Sequence, residues 1–363
     1  MSEFGTLALV LSGGNALGAY QAGAYQALEE AGLEPDEVAG ASAGAINGAL
    51  ICGNPQGRRL ERLAAFWRPS GTDEGLALAG MQEDARRTAA AGLTLATGRA
   101  DTFVPRSLWE RWWASGRSGA ATSLYDTRPL GTTLERLVDF ELLNAGAPRF
   151  SATALDVESG EDVVFDTARH RITADHLRAS AAMIPAFPPV EVEGRLLADA
   201  GLSANLPLDA VLSRPVAGRL LCITLDLLPL GAPRPRSLGA ATERMQDLVF
   251  ASQTRRAFAA WQAIFDERAA RGGSAVPAIT VLRLAYADQA REVSGKAFDF
   301  SPRSVRGRWD AGYRDMTDAL AQVRAGGIAT EQPGLAVYRA ERPSPDAPAV
   351  LRRVHESLSP AHA

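Results

Sequence analysis

The sequence predicts an α/β protein with a central, mostly parallel sheet. Residues 7–11 (LALVL) form a short apolar run that ends at a serine and two glycines, which is typical of a strand buried on both faces. The next segment predicts a helix, because its apolar and small residues recur at helical spacing: Tyr20, Ala24, Leu28 and Ala31. The same plan of strand, glycine turn and helix repeats from Val38 to Gly53. Two such units in succession favour parallel strands joined by helices.

The middle of the chain adds a helical insertion and a hairpin. Residues 55–145 interleave arginines with tryptophans and carry few strand signals, which predicts helices and loops inserted on the sheet. Strand patterns return at residues 150–156 and 162–166, and the glycine in their connection predicts a hairpin. Two further apolar runs, at 196–199 and 220–225, complete the main unit, which we place at residues 6–228.

The last third of the chain is predicted to form an extension of this unit. Clustered prolines predict a linker at residues 229–238. Residues 239–345 predict a C-terminal extension packed on the core, with two long helices and one strand between them at 278–284. Residues 346–363 are expected to form a flexible tail.

Composition excludes several functions. The chain has 363 residues and a formal charge of −4, and Lys296 is its only lysine, so nucleic-acid binding is not expected. Two cysteines are too few for a disulfide framework or a four-thiolate zinc site, and the four histidines form no H-x-x-x-H pair. The sequence has neither a Sec-type leader pattern nor an apolar run of about 20 residues, which predicts a soluble, cytoplasmic protein.

A G-x-S-x-G motif lies between the second strand and its helix. A serine at such a tight turn is held in a strained backbone that exposes its hydroxyl, and the helix behind it favours a developing alkoxide. Ser42 occupies this position between Gly40 and Gly44. The residues alone leave two readings open: Ser42 is a nucleophile, or the small residues only let the strand and helix pack closely.

A second glycine loop, residues 12–18, also joins a strand to a helix. A phosphate-binding P-loop needs lysine after Gly18, where Ala19 and Tyr20 stand, and the glycine register does not fit a dinucleotide fingerprint. What remains is a set of backbone N–H donors at a helix N-terminus, suited to the oxyanion of an acyl-transfer intermediate. The alternative is a turn that serves geometry alone.

A serine nucleophile needs a base, and the sequence offers three candidates. His170 and His176 lie in a polar, arginine-rich stretch that is better explained as a solvated connection and a helix start. Asp199 directly follows an apolar run, at the end of a buried strand, where open α/β sheets place their sites. The competing interpretation of Asp199 is a turn-forming aspartate.

Together these motifs resemble the patatin-like phospholipase family. Residues 12–23 look like its glycine-rich loop and helix, residues 40–44 like its nucleophile elbow and residues 199–201 like its aspartate–glycine motif. Residues 125–130 (YDTRPL) and 179–190 (ASAAMIPAFPPV) are also similar to family segments. The resemblance covers about residues 6–228, and the rest resembles the C-terminal extension of some bacterial members.

The resemblance implies a patatin-like three-layer α/β/α fold with a helical insertion and an α-rich C-terminal extension. It also implies a Ser–Asp dyad without histidine that acts on lipid or other acyl esters and needs no metal or organic cofactor. By position, Ser42 is then the nucleophile, Asp199 is its base, and the backbone N–H groups of Gly13, Gly14 and Asn15 form the oxyanion hole.

Three positions depart from the usual family pattern. Asn15 replaces a glycine, which is the least costly substitution if the position needs a positive φ. Leu17 stands where many members carry arginine or lysine, and Ala200 follows the aspartate in place of glycine. None of these changes removes a reacting group.

Several alternatives stay open. An acyltransferase or thioesterase would use the same dyad, and a catalytically silent lipid-binding module would keep the same fold. The tryptophan- and arginine-rich residues 108–113 predict either a peripheral membrane contact or an ordinary buried aromatic cluster. The sequence does not predict an oligomeric state.

Overall fold

In the computed structural model, a central sheet separates two layers of helices. The structure describes residues 5–68, 81–107, 123–216, 218–232, 234–271, 276–286, 289, 292–293, 295–343 and 347–357. The tryptophan-rich stretch at residues 108–113 lies outside these residues. Side chains alternate along a strand, so Leu7 and Leu9 of the first strand enter one apolar core while Ala8 and Val10 enter the other. This is the predicted three-layer α/β/α architecture.

The strands of the described residues are β1 (Thr6–Leu11), β2 (Glu37–Ala41), β3 (Val104–Pro105), β4 (Tyr125–Asp126), β5 (Arg149–Asp156), β6 (Asp162–Asp166), β7 (Val190–Val192), β8 (Arg195–Asp199), β9 (Arg219–Asp226), β10 (Ala278–Ala285), β11 (Gly334–Glu341) and β12 (Val350–Val354). The helices are α1 (Ala19–Glu30), α2 (Ala43–Cys52), α3 (Arg59–Trp67), α4 (Glu83–Thr97), α5 (Arg128–Leu137), α6 (Phe140–Asn144), α7 (Ala174–Ser180), α8 (Asp209–Leu212), α9 (Leu238–Ala270) and α10 (Pro302–Arg324).

Ten of these strands form one sheet, with hydrogen-bonded neighbours in the order β12–β11–β10–β9–β1–β2–β5–β8–β7 and β6 also paired with β5. The pairs from β11 through β10, β9, β1 and β2 to β5 are all parallel. The antiparallel pairs lie toward the two edges. The two strand–turn–helix units predicted at the start of the chain are confirmed as the adjacent parallel strands β1 and β2 with α1 and α2.

Strand β5 organises the region where the sheet changes direction. Its residues 151–155 pair with β6, as the predicted hairpin requires, while residues 149–153 pair with β2 and residues 154–156 pair with β8. A strand has two edges, so β6 occupies one edge and β2 and β8 share the other. There Ala41 of β2 pairs with Thr153, and Asp199 of β8 pairs with Ala154. The C-terminal ends of β2 and β8 therefore meet head to head.

Asp199 lies at the C-terminal end of a buried strand, as the sequence predicts, but this strand is antiparallel to its neighbour β5. Strand β8 runs antiparallel to β5, so its C-terminal end would normally lie at the opposite edge of the sheet from the ends of the parallel strands. It stays near them because β8 overlaps only the last three residues of β5.

The chain after residue 228 extends the same sheet. Strand β10 pairs with β9 along all eight residues of both strands, and α10 packs on α1. The sequence predicted one strand here and a loose tail from residue 346, whereas β11 and β12 are also present and Val350–Val354 forms the edge strand. Backbone pairing rather than burial holds β12, because its side chains are exposed or half-buried, and so its sequence carries no clear apolar pattern.

Candidate active site

Ser42 occupies a strained turn between β2 and α2. Its backbone has φ 54° and ψ −124°, a conformation that costs a non-glycine residue about 1–3 kcal/mol. The flanking glycines are required by packing, since a Cβ on Gly40 would lie 2.4 Å from the backbone of Gly44, and one on Gly44 would lie 2.2 Å from the carbonyl oxygen of Leu11. Within residues 40–44, Ser42 alone is half-buried and the others are buried. The turn therefore leaves Ser42 accessible from the adjoining cavity.

Ser180 holds the backbone of this turn in place. The Ser42 N–H donates to Ser180 Oγ at 3.0 Å, and the Ser180 hydroxyl donates to the carbonyl oxygen of Thr153 at 2.6 Å. Ser180 is fully buried at the end of α7, so the contact ties the turn to β5 through a side chain that water does not reach. Ser180 lies within the family-like block at residues 179–190, where no pattern predicts this role.

Asp199 is a buried carboxylate beside Ser42. Its side chain is 1% exposed and accepts a hydrogen bond from the Gly201 N–H at 2.7 Å. Burial raises the pKa of Asp199 to about 6, while hydrogen bonding with the Ser42 side chain and with Gly201 opposes this rise. Among the residues that the structure describes, no cation contributes to the pKa shift. At neutral pH the group is thus a carboxylate whose proton affinity is well above that of an ordinary aspartate.

The glycine loop supplies fewer free donors than the resemblance implies. The Gly13 N–H already donates to the carbonyl oxygen of Asn205 at 3.0 Å, so it is not available to an oxyanion, which corrects the expectation for Gly13. Within the described part of the chain, the N–H groups of Gly14 and Asn15 have no acceptor, and both residues line the cavity next to Ser42. Asn15 has φ 50°, the left-handed conformation that favours glycine or asparagine.

A buried polar network supports this loop from behind. Gln21 of α1 donates to the Ser12 carbonyl at 2.8 Å, and Asn47 of α2 donates to both Gln21 Oε1 and the Gly18 carbonyl at 2.9 Å. Trp67 extends this hydrogen-bond network by donating to Asn47 Oδ1 at 2.7 Å. These amide and indole groups fix both ends of the loop, and sequence reasoning missed them because no motif marks them.

The segment after Asp199 is tied to the glycine loop and to α9. Besides accepting from Gly13, Asn205 donates through Nδ2 to the Gly13 carbonyl at 3.4 Å. Gln253 of α9 accepts from the Asn205 N–H at 3.1 Å and donates to the Gly201 carbonyl at 3.1 Å. Helix α9 of the C-terminal extension therefore positions the turn that carries Asp199.

Ser42 and Asp199 open into a cavity of about 110 Å³. Most of its wall is apolar and aromatic, from residues of the main unit, its insertion and the C-terminal extension: Ile46, Phe66, Trp67, Phe103, Leu130, Met183, Phe187, Leu228, Phe250, Phe298 and Phe300. Ligand pockets with such a lining bind apolar groups and fix them with a few polar atoms. The arrangement can hold an acyl chain with its reacting carbonyl at Ser42.

The histidines considered as bases have structural partners. His170 Nδ1 accepts from the Asp166 N–H at 3.2 Å, and His176 Nδ1 lies 2.9 Å from Thr173 Oγ1 at the start of α7. Neither residue lines the cavity.

Among the described residues, no group of three or more His, Cys, Asp or Glu side chains is arranged to hold a metal ion. The described helices include none with the length and apolar character needed to cross a bilayer.

Two family models match the sequence. One, described as Patatin-like phospholipase, matches residues 9–212, which is more than half of the chain. The other, described as Patatin phospholipase, matches residues 265–327 in the C-terminal extension.

Curated relatives and solved structures are more distant. An uncharacterized NTE family protein of Mycobacterium bovis is 28% identical over 221 residues, which is 61% of this chain and 30% of that protein, and one of Mycobacterium tuberculosis gives the same values. The chain thus spans less than a third of these relatives. The structure of VipD from Legionella pneumophila has a TM-score of 0.42 at 16% identity, over 88% of this chain and 67% of that one. The ExoU–SpcU complex of the Pseudomonas aeruginosa type III secretion system has a TM-score of 0.31 at 18% identity, over 89% and 63%.

Proposed function

The chain belongs to the patatin-like phospholipase family, and on this basis we propose that it is a serine acyl hydrolase with Ser42 as nucleophile and Asp199 as general base. One observation carries the proposal. A serine on a strained elbow lies beside a buried carboxylate with a pKa of about 6, at the reacting end of an apolar cavity. A base of this kind is ionised at neutral pH and still accepts a proton readily.

In the first step, Asp199 takes the proton of the Ser42 hydroxyl as the oxygen attacks the ester carbonyl. The negative charge that develops on the carbonyl oxygen is stabilised by the free N–H groups of Gly14 and Asn15, and by the N-terminal end of the α2 dipole. Asp199 then returns its proton to the leaving alcohol. The serine is left as an acyl ester.

In the second step, water enters where the alcohol has left. Asp199 takes a proton from this water, the hydroxide attacks the acyl carbonyl, and the same N–H groups hold the second oxyanion. Collapse of this intermediate releases the carboxylic acid, and the proton on Asp199 returns to Ser42. No step requires a histidine.

The cavity supports lipid acyl esters as the substrate class. An extended acyl chain offers almost only apolar surface, and each buried CH₂ contributes about 0.8 kcal/mol to binding. Phenyl rings from Phe103, Phe187, Phe298 and Phe300 surround one part of the cavity, with Phe103 within 6.2 Å of each of the others by ring centroid. We therefore expect esters of longer chains to be hydrolysed with lower KM than short ones.

The proposal is tested with p-nitrophenyl esters of increasing chain length. Wild type should hydrolyse them, and Ser42→Ala and Asp199→Asn should each reduce kcat by at least about 10³-fold. A matched control is Ser213→Ala, which removes an exposed hydroxyl that donates to the Asp209 carbonyl oxygen at the end of α8 and should leave kcat unchanged. Hydrolysis by Ser42→Ala at the wild-type rate would exclude this assignment.

A further inference from the structure

Helix α9 carries an exposed apolar stripe next to the mouth of the cavity. Leu238, Met245 and Val249 are 86%, 61% and 48% exposed, and they lie on one line of the helix because their spacings are seven and four residues. Leu248, also exposed, widens the stripe. Large apolar side chains exposed in a row on one helix are a feature of contact surfaces rather than of an ordinary solvated face.

The stripe borders the proposed active site. Gln246 and Phe250 lie on the adjoining side of the same helix turns and line the cavity, and Gln246 is itself exposed, which places it at the mouth. On the same side of the helix, Gln253 donates to the carbonyl oxygen of Leu202 at 3.4 Å, so exposed Leu202 lies beside α9, three residues after Asp199. The apolar surface is therefore continuous with the route by which an acyl chain would reach Ser42.

The charged side chains around the stripe are mostly positive. Residues 229–256 contain five arginines and only two acids, Glu243 and Asp247. Both acids point inward, where Lys296 Nζ lies 3.2 Å from Glu243 Oε1 and 2.8 Å from Asp247 Oδ1, and the side chain of Lys296 is buried. The inward pairing removes the negative charge from the exposed face of α9 up to residue 256.

Four of the five arginines remain on the outside: Arg234, Arg236, Arg255 and Arg256. In the part of the chain that the structure describes, none of them forms an ion pair, and Arg256 continues the line of Met245 and Val249. Exposed arginines beside exposed apolar side chains complement a surface that is apolar inside and anionic outside. The headgroup region of an anionic bilayer has this composition.

We propose that this surface of α9, with Leu202, is where the chain docks on the surface of anionic lipid membranes. Met245, Val249 and Leu238 insert among the acyl chains at the headgroup boundary, and the four arginines contact lipid phosphates. Docking in this orientation brings the cavity mouth against the lipid, so a substrate chain passes from the membrane into the cavity without crossing water. The inference deepens the proposed function, since it takes the substrate to be an ester within a lipid aggregate.

Co-sedimentation with vesicles tests the surface directly. The full chain carrying Ser42→Ala, which removes the proposed nucleophile, is mixed with vesicles of phosphatidylcholine alone or with about 30% phosphatidylglycerol. We expect binding to the anionic vesicles, weakened about tenfold by Val249→Glu or Met245→Glu and about tenfold by the double change Arg255→Glu and Arg256→Glu. The matched control is Val350→Glu, a valine of similar exposure (39%) on β12, which should bind like the parent.

Three results would overturn the inference. The first is that the parent does not bind anionic vesicles. The second is that the Val249→Glu and Val350→Glu chains bind equally well. The third is that the parent is a dimer and Val249→Glu makes it a monomer, which would identify the surface as a contact between copies of the chain. Failure of the proposed chemistry is seen separately. With Ser42 intact, Val249→Glu should hydrolyse a water-soluble ester as fast as wild type. If wild type itself does not hydrolyse the ester, the proposed chemistry is wrong, but vesicle binding by the α9 surface is still tested by the co-sedimentation result.

Discussion

Ser42 and Asp199 meet because β2 and β8 end against neighbouring residues on the same edge of β5. Ala41, which precedes Ser42, pairs with Thr153, and Asp199 pairs with Ala154. The nucleophile and the base of the proposed dyad are thus set by the hydrogen-bond register of three strands. A change in that register would separate them even if every side chain were kept.

The pH dependence of hydrolysis should follow the carboxyl group of Asp199. Because only the ionised form accepts the Ser42 proton, kcat/KM on a soluble ester should rise with pH and level off above an apparent pKa of about 6. The measurement is a pH–rate profile, with circular dichroism at each pH to confirm that the chain remains folded. A rate that stays constant as pH falls below this pKa would contradict the role of Asp199 as base.

Asp199→Asn should be more stable than wild type at neutral pH although it is inactive. The pKa of the folded group is about 6 against an ordinary value of 3.8, so the folded state binds the proton more tightly, and stability falls as pH rises between these values. Above pH 6 the buried charge then costs up to about 3 kcal/mol, which the neutral amide avoids.

Urea unfolding of the Asp199→Asn and wild-type chains checks this stability difference. The advantage of the Asn variant should be present at about pH 8 and small at about pH 4, where the wild-type carboxyl group is protonated. A variant that is less stable than wild type at both pH values would show that the carboxylate contributes to the fold more than its burial costs.

Replacing Ser42 should separate the backbone strain from the chemistry. Ser42→Ala and Ser42→Gly both remove the hydroxyl, but only glycine adopts φ 54° and ψ −124° without strain. We expect Ser42→Gly to be more stable than Ser42→Ala by about 1 kcal/mol in urea unfolding. Equal or lower stability of the glycine variant would mean that the elbow is not strained.

Ser180 is predicted to be a positioning residue. Ser180→Ala leaves the Ser42 N–H and the Thr153 carbonyl without their partner, which should cost about 1–3 kcal/mol of stability. Because the elbow is then less well fixed, kcat should fall about 10–100-fold while KM changes little. Ser213→Ala provides the comparison, since its hydroxyl is exposed. A loss of stability with unchanged kcat would make Ser180 structural only.

The parts of the fold that the sequence predicts are those with a local pattern. The apolar run before Ser12 is recognisable because buried parallel strands are continuously apolar. The turn around Ser42 is recognisable because a turn between a strand and a helix needs small residues. Strand β12 has no such pattern, because its exposed arginines leave backbone pairing as its main interaction.

The parts of the site that the sequence does not predict depend on distant partners. Ser180 acts on Ser42 across 138 residues, and Gln253 holds the Asp199 turn from a helix that the sequence analysis treated as an extension. Gly13 has the right position in a loop motif, but its N–H is occupied by Asn205, a residue in no motif. Such contacts involve backbone groups, which leave no residue type for a pattern to detect.

The most direct test of the proposed dyad is the site of covalent labelling by a fluorophosphonate, identified by mass spectrometry of the digested protein. The proposed Ser42–Asp199 dyad predicts one adduct, on the peptide that contains Ser42, formed much more slowly in Asp199→Asn and absent from Ser42→Ala. Labelling of Ser42→Ala at the wild-type rate, or an adduct on another residue, would contradict it.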